Sequence, residues 1–238
     1  MASFVAGATG FTGREVVRVL AARGERVIAH VRPDSSRVEE WRERFAGMGA
    51  ELDTSAWDAE AVTAALRRAA PDRVFALLGT TSKRARGDGM SRLEAYQRID
   101  VGLTLLLLDA VRAAGLRPRF VYLSSVGTSS RSSSMYLKTR AQVEAALRAS
   151  GVPFTVARPS FITGAQRDDE RPFERAGAAM AGGLLAVAGA LGARRLQARF
   201  RPTTNVGLAE ALVRAAFDPA AEAKVLEGDA LFRSAGET

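Results

Sequence analysis

The chain has 238 residues, 47% of them hydrophobic, enough to bury the core of one α/β domain. It contains no cysteine, which excludes disulfides, thiolate metal sites and cysteine nucleophiles. The formal net charge of +8 raises the question of nucleic acid, but most arginines alternate with acids or alanines on expected helix faces, without interleaved aromatics or a nucleic-acid motif; an anionic cofactor accounts for part of the excess more simply.

Apolar strand-like runs alternate with helical stretches from the first residue. Ser3–Ala6 reads as a strand, followed by a helix over Arg14–Arg23 with Val16, Val17, Val19 and Leu20 inward. Met1–Val5 enters that strand without a basic leader or cleavage signal, so a cytoplasmic protein is expected. A second strand over Arg26–Val31 precedes a helix around Val38–Met48; Glu51–Asp53 ends a third strand before a helix over Ala59–Ala69. Arg73–Leu78 is the fourth strand, and Leu93–Ala114 a long helix stopped by Gly115. Arg119–Ser124, the helix Met135–Ser150 and the strand Phe154–Ala157 complete the regular part. Such alternation predicts an α/β doubly wound parallel sheet, one domain over residues 1–238, with 159–205 forming most of a small substrate-side lobe. The uncharged run Ala176–Ala193 has the length of a membrane span, but its five glycines make it weakly apolar, and a packed helix is expected. Thr203–Phe217 then reads as strand-to-helix and Lys224–Leu226 as a last short strand.

Between the first strand and first helix stands Gly7-Ala8-Thr9-Gly10-Phe11-Thr12-Gly13, a G-x-x-G-x-x-G loop in the context a dinucleotide site requires. Gly7 permits the tight turn, Gly10 lets the backbone approach a pyrophosphate, and Gly13 lets helix and strand pack closely; Thr9, Phe11 and Thr12 complete the cradle. The second strand ends His30-Val31-Arg32-Pro33, where an NAD site commonly carries an acid. Arg32, Ser35 and Arg37 instead suit the 2′-phosphate of NADP, with Asp34 moved off the strand end by Pro33. His30, the one histidine, reads as a packed residue. Asp53 either accepts from the adenine amino group or caps the next helix. Leu78, Gly79 and Thr80 lie at the carboxyl edge of the sheet and should pass close to the cofactor ribose.

Leu123-Ser124-Ser125 at the end of the fifth strand, with Tyr136 opening the next helix, resembles the Ser/Tyr/Lys constellation of short-chain dehydrogenases. That resemblance implies proton transfer by Tyr136, a serine (Ser125) holding the substrate oxygen, and a basic residue one turn on that stabilises the tyrosinate and grips the nicotinamide ribose. The fourth position after Tyr136 holds Arg140 rather than lysine, and Lys138 lies about 200° around the helix from Tyr136. Arg140 retains the charge, but its planar fork differs from an ammonium.

The glycine loop, Leu78-Gly79-Thr80-Thr81, Leu123-Ser124-Ser125, Tyr136-Leu137 with Gln142-Val143-Glu144-Ala145, Arg158-Pro159 and Glu170-Arg171-Pro172 together resemble the Tat-interacting, tumour-suppressor-related branch of atypical short-chain dehydrogenases/reductases. The resemblance implies NADPH binding with Ser124 beside the cofactor and Pro159 and Phe161 near the nicotinamide face. It implies either of two activities: reduction of a small carbonyl compound, or sensing of NADP(H) on behalf of a protein partner. No metal is called for, and neither nucleic acid nor membrane is an expected partner.

Overall fold

Short runs of wholly apolar residues cannot stand at a solvated sheet edge, and in the computed structural model they fill the middle of a sheet. The structure describes residues 1–80, 87, 89–163 and 202–233. In chain order these hold β1 (Ala2–Ala6), α1 (Gly13–Ala22), β2 (Arg26–His30), α2 (Val38–Ala46), β3 (Glu51–Asp53), α3 (Ala59–Ala69) and β4 (Arg73–Ala76). There follow α4 (Arg92–Ala95), a π-helical stretch (Tyr96–Gly102), α5 (Leu103–Ala113), β5 (Arg119–Leu123), α6 (Met135–Ala149) and β6 (Phe154–Arg158). Two short strands, β7 (Ile162–Thr163) and β8 (Thr203–Thr204), lead to α7 (Asn205–Phe217), β9 (Lys224–Glu227) and α8 (Asp229–Phe232).

The sheet has seven strands among the described residues, in the order β3-β2-β1-β4-β5-β6-β9, with every pairing parallel. Alternate side chains serve opposite faces. Val5, Phe75 and Val121 pack with Val16 and Leu20 of α1, Phe45 of α2 and Leu212 of α7. Phe4, Val74, Phe120 and Tyr122 pack with Leu66 of α3, Leu107 of α5, and Val143 and Leu147 of α6. Strand order reverses between β1 and β4, and the crevice beyond their carboxyl ends is where such sheets bind ligands.

Packing rather than capping holds α1. Its N-cap, Thr12, makes no side-chain cap hydrogen bond, which forgoes about 1 kcal/mol. Val16, Val17 and Leu20 are fully buried and contribute about 1.5–3 kcal/mol each. The N-terminus of the helix is thereby left open at little cost to the fold.

The expected long helix over Leu93–Ala114 is present but not uniform. Ser91 and Glu94 close a capping box at its start, and the π-helical stretch interrupts it. A π stretch accommodates one residue more per turn than α geometry and so resets which side chains face the core. Ile99, Asp100 and Val101 all lie inside it and are buried. Thr203–Phe217 and the last strand stand as expected, β9 lying beside β6. Most of the expected lobe, the run Ala176–Ala193, and Glu170-Arg171-Pro172 lie outside the described residues. Among the described residues no helix is long and apolar enough to cross a membrane.

Candidate active site

The glycine loop turns at the carboxyl end of β1, and each of its three glycines meets a different steric demand. Gly7 has φ +83°, and a Cβ there would stand 2.6 Å from the Leu77 carbonyl oxygen of β4's extension. A Cβ on Gly13 would stand 2.1 Å from the Gly7 oxygen, so helix and strand approach as only glycine allows. Gly10 is exposed; its N–H donates to the Gly7 oxygen at 3.0 Å, and its own carbonyl accepts from Arg14 at 3.1 Å. With the open α1 N-terminus directly after it, this cradle fits a pyrophosphate. Gly13→Ala is expected to destabilise the protein by about 1–3 kcal/mol through overpacking. A Cβ on Gly10 would stand 3.1 Å from the Gly7 oxygen, so Gly10→Ala should lower the thermal midpoint less than Gly13→Ala while weakening dinucleotide binding. Thermal unfolding beside an NADPH titration checks both, and an unshifted midpoint for Gly13→Ala would refute the close-packing role.

At the adenosine end the side chains are more engaged than their spacing suggests. The chain turns back after Pro33, so Asp34 meets Arg32 after all, Nη1 to Oδ2 3.1 Å, with side chains 45% and 71% exposed. The expectation that Arg32 has no acid beside it is therefore corrected. Arg37 pairs with Glu40 one turn along the chain and lies over the Trp41 ring, and Ser35 Oγ accepts from the Arg37 N–H at 3.3 Å. Asp53 does not cap the next helix: Asp58 does, accepting from the Ala61 N–H at 2.8 Å. Asp53 instead accepts from Ser55 Oγ at 2.8 Å, which leaves the adenine role as its remaining expectation. His30 is packed as expected, Nε2 2.9 Å from the Ser55 carbonyl oxygen and its ring against the Trp57 ring. Burial pushes its imidazole below the ordinary value, against the opposing pull of Ser55 and Asp53.

At the other end, α6 presents three residues on one face at four-residue spacing: Tyr136, Arg140 and Glu144. Tyr136 is half-buried, its ring 5.4 Å from that of Tyr96 at 55°. The Arg140 guanidinium carbon lies 5.1 Å from the Tyr136 ring centroid. Arg140 itself is only 6% exposed and its fork turns inward. Nη1 donates to the Leu123 carbonyl at 2.6 Å and to the Tyr122 hydroxyl at 3.2 Å, and Nη2 to Asp100 Oδ1 at 2.8 Å. Burial alone would lower the Arg140 pKa, but Tyr136, Tyr122 and Asp100 outweigh it and raise it above the usual value. Burial pushes the Tyr122 hydroxyl up to about 12, so it stays neutral, and among the described residues Asp100 is the acid that balances the arginine. Against the expected ribose grip, three Arg140 hydrogen bonds go to the protein, and the buried Nε has no partner among the described residues.

Asp100 was not singled out by its sequence. Its other oxygen accepts from the Thr80 N–H at 2.9 Å, so it ties the Leu78-Gly79-Thr80 turn to Arg140. Gly79 passes directly over this pair, a Cβ there lying 3.4 Å from Arg140 Nη2. One acid among Tyr96, Ile99 and Val101 was the available signal, and a regular helical period hid it.

Ser124 also proves to be spent internally. It is 3% exposed, and its hydroxyl donates to Glu144 Oε1 at 2.7 Å. Arg158 closes on both oxygens of the same carboxylate, at 2.8 and 2.7 Å. Burial opposes the charge on Glu144, but Arg158 and Ser124 prevail and hold its carboxyl below the usual carboxylate range. The Ser124 side chain is therefore held in a structural bond. Ser125 stays half-buried at the mouth of the crevice, and its neighbour Val126 donates to the carbonyl oxygen of buried Pro159 at 2.9 Å. Phe161, half-buried two residues on, accepts from the Thr203 N–H at 2.9 Å. The ends of β5 and β6, Tyr136 and the glycine loop thus gather along one edge of the sheet.

Residues 7–190 match a family described as NAD(P)H-binding. The mitochondrial protein FMP52 of Debaryomyces hansenii is 28% identical over 171 residues, covering 71% of this chain and 70% of its own. The mitochondrial protein fmp52 of Emericella nidulans is 32% identical over 133 residues, 56% of this chain and 53% of its own. Among solved structures, UDP-glucuronic acid 4-epimerase from Bacillus cereus, in complex with UDP-glucuronic acid and NAD, superposes with a TM-score of 0.68 at 15% identity, over 96% of this chain and 77% of its own. UDP-glucose 4-epimerase from Thermotoga maritima does so with a TM-score of 0.64 at 18% identity, over 95% and 76%.

Proposed function

Because the chain belongs to the NAD(P)H-binding family and has a Rossmann fold, we propose that it is an atypical short-chain dehydrogenase/reductase that binds NADP(H) and passes hydride between that cofactor and a small carbonyl or alcohol compound. One observation carries the reading: a half-buried tyrosine at the crevice with a permanently charged guanidinium 5.1 Å from its ring. Bound NADPH supplies the hydride. Tyr136 gives its hydroxyl proton to the substrate oxygen, and Ser125 donates a hydrogen bond to the same oxygen. Arg140 supplies fixed positive charge to the tyrosine without leaving its ion pair. The Gly7–Gly13 loop and the first N–H groups of α1 hold the pyrophosphate, Gly79 and Thr80 the ribose side, and Asp53 the adenine. Turnover with a panel of aldehydes and ketones, beside an NADPH titration, is the test; tight binding and turnover of at least one compound are expected.

The choice of NADP over NAD rests on Arg32, Ser35 and Arg37. An exposed pair such as Arg32–Asp34 is worth about 0–1 kcal/mol, whereas a phosphate–arginine contact is worth about 1.5–3 kcal/mol. A 2′-phosphate therefore displaces Asp34. NADPH is expected to bind more tightly than NADH, and Arg32→Asp to narrow or invert the preference. Paired titrations check this, and equal affinities for the unaltered protein would sink the assignment.

A second reading is favoured by one observation, the inward turn of Arg140. A site whose basic residue is spent on the protein suits a nucleotide sensor acting through a protein partner. Tight NADPH binding with no turnover across the panel would put that reading in place of the first.

A further inference from the structure

The glycine loop does not stand on its own strand and helix alone. Asn205, the first residue of α7 and 7% exposed, donates from Nδ2 to the Phe11 carbonyl oxygen at 3.2 Å, across 194 residues of sequence. The start of α7 is itself well fixed. Thr204 caps it, Oγ1 accepting from the Gly207 N–H at 3.0 Å. Just before it, β8 pairs in parallel with β7, Ile162 opposite Thr203. Leu208 and Leu212 then anchor the helix in the core shared with α1.

The Phe11 carbonyl and the Thr12 N–H belong to one planar trans peptide unit and point in opposite directions. Drawing the carbonyl toward Asn205 therefore turns the Thr12 N–H away from α7. That N–H stands at the open N-terminus of α1, where the helix supplies no acceptor of its own. We propose that Asn205 is a positioning residue that, by holding the Phe11 carbonyl, aims the Thr12 N–H at the pyrophosphate of the bound dinucleotide. The inference rests on the proposed dinucleotide site and adds to it a residue from the far end of the chain. It also gives the pyrophosphate loop and Phe161 a common mount, since Phe161 bonds Thr203 two residues before Asn205.

The test is fluorescence titration of NADPH against the unaltered protein, Asn205→Ala and Asn205→Asp, with thermal midpoints alongside. The aspartate variant keeps the shape of the side chain, and a negative charge at the start of a helix is tolerated, so it should fold. It removes the donor and sets a carboxylate against the Phe11 carbonyl. Asn205→Ala should bind NADPH roughly three- to tenfold more weakly, the scale of one hydrogen bond, and Asn205→Asp more weakly still. Adenosine 2′-monophosphate, which carries no pyrophosphate, should bind all three proteins alike. A role in packing alone gives the reverse order, with Asp close to Asn and Ala weakest, and overturns the inference. Equal NADPH affinities, or a parallel loss of adenosine 2′-monophosphate binding, also overturn it. Failure of the unaltered protein to bind NADPH overturns this inference and the proposed function together.

Discussion

Replacing Tyr136 by phenylalanine is expected to cut reduction of any accepted carbonyl substrate by roughly 100-fold or more, the usual scale of a lost general acid. The ring and its contacts with Tyr96 and Arg140 survive the change, since both are made by the ring face and edge rather than the hydroxyl. NADPH affinity should therefore stay within about twofold, because little binding energy is removed along with the proton donor. The loss should fall on kcat rather than KM. Arg140→Lys keeps a cation beneath the ring but surrenders the planar fork that reaches Leu123, Tyr122 and Asp100 together. It should retain measurable turnover, whereas Arg140→Ala should lose turnover and stability. Steady-state kinetics with the best substrate of the panel check the set. Full activity in Tyr136→Phe would show that the proton comes from elsewhere.

The second large effect lies behind the site. Asp100 is 2% exposed and is the buried carboxylate that faces Arg140. Removing one member of such a pair strands the other charge without water, at a cost of about 3–5 kcal/mol. A protein of this kind is stable by about 5–15 kcal/mol in total, so Asp100→Ala forfeits a large fraction of it. Asp100→Asn keeps an acceptor for the Thr80 N–H and should fall between the unaltered protein and the alanine variant. Urea unfolding of the three proteins gives the order. A loss below about 1 kcal/mol for Asp100→Ala, as for an exposed pair, would mean that the arginine finds solvent once released. Loosening of the Gly79–Thr80 turn should appear in the same variant as weaker NADPH binding.

The parts legible in the sequence were those governed by local repetition or by a steric rule. Apolar runs such as Phe4–Ala6 and Val74–Ala76 could only be central strands, and Gly7 and Gly13 could only serve a close strand–helix turn. The spacing of Tyr136 and Arg140 correctly put both on one helix face. What stayed hidden depends on partners distant in sequence or on local reversals of direction. Nothing near Arg140 announces Asp100, 40 residues away, and nothing near Phe11 announces Asn205. Glu144 was within reach, standing four residues after Arg140 on the same face, but its role needed Ser124 and Arg158 to be brought to it. Position along the strand separates Asp34 from Arg32, while the turn after Pro33 brings the two into contact. Asp53 and Asp58 are equally good caps by residue type, and only the start of α3 chooses between them.

The π-helical stretch gives the length of one segment a meaning separate from its composition. Leu107 and Val111 of α5 are fixed in the core, so the part of the helix before them is the part that must adjust. Deleting one residue between Tyr96 and Gly102 would let an ordinary α-helix form, leaving α4 nearly in register because the wide turn had absorbed the extra residue, but removing the bulged backbone on which Asp100 stands. Tyr96 would stay near the ring of Tyr136, whereas Asp100 would lose the position from which it meets Arg140, although every residue type needed for folding remained. A chain shortened by that one position would still be read by composition as the same protein. Its history as an insertion, or its loss in a relative, would therefore mark a change of site geometry that residue-by-residue identity does not register.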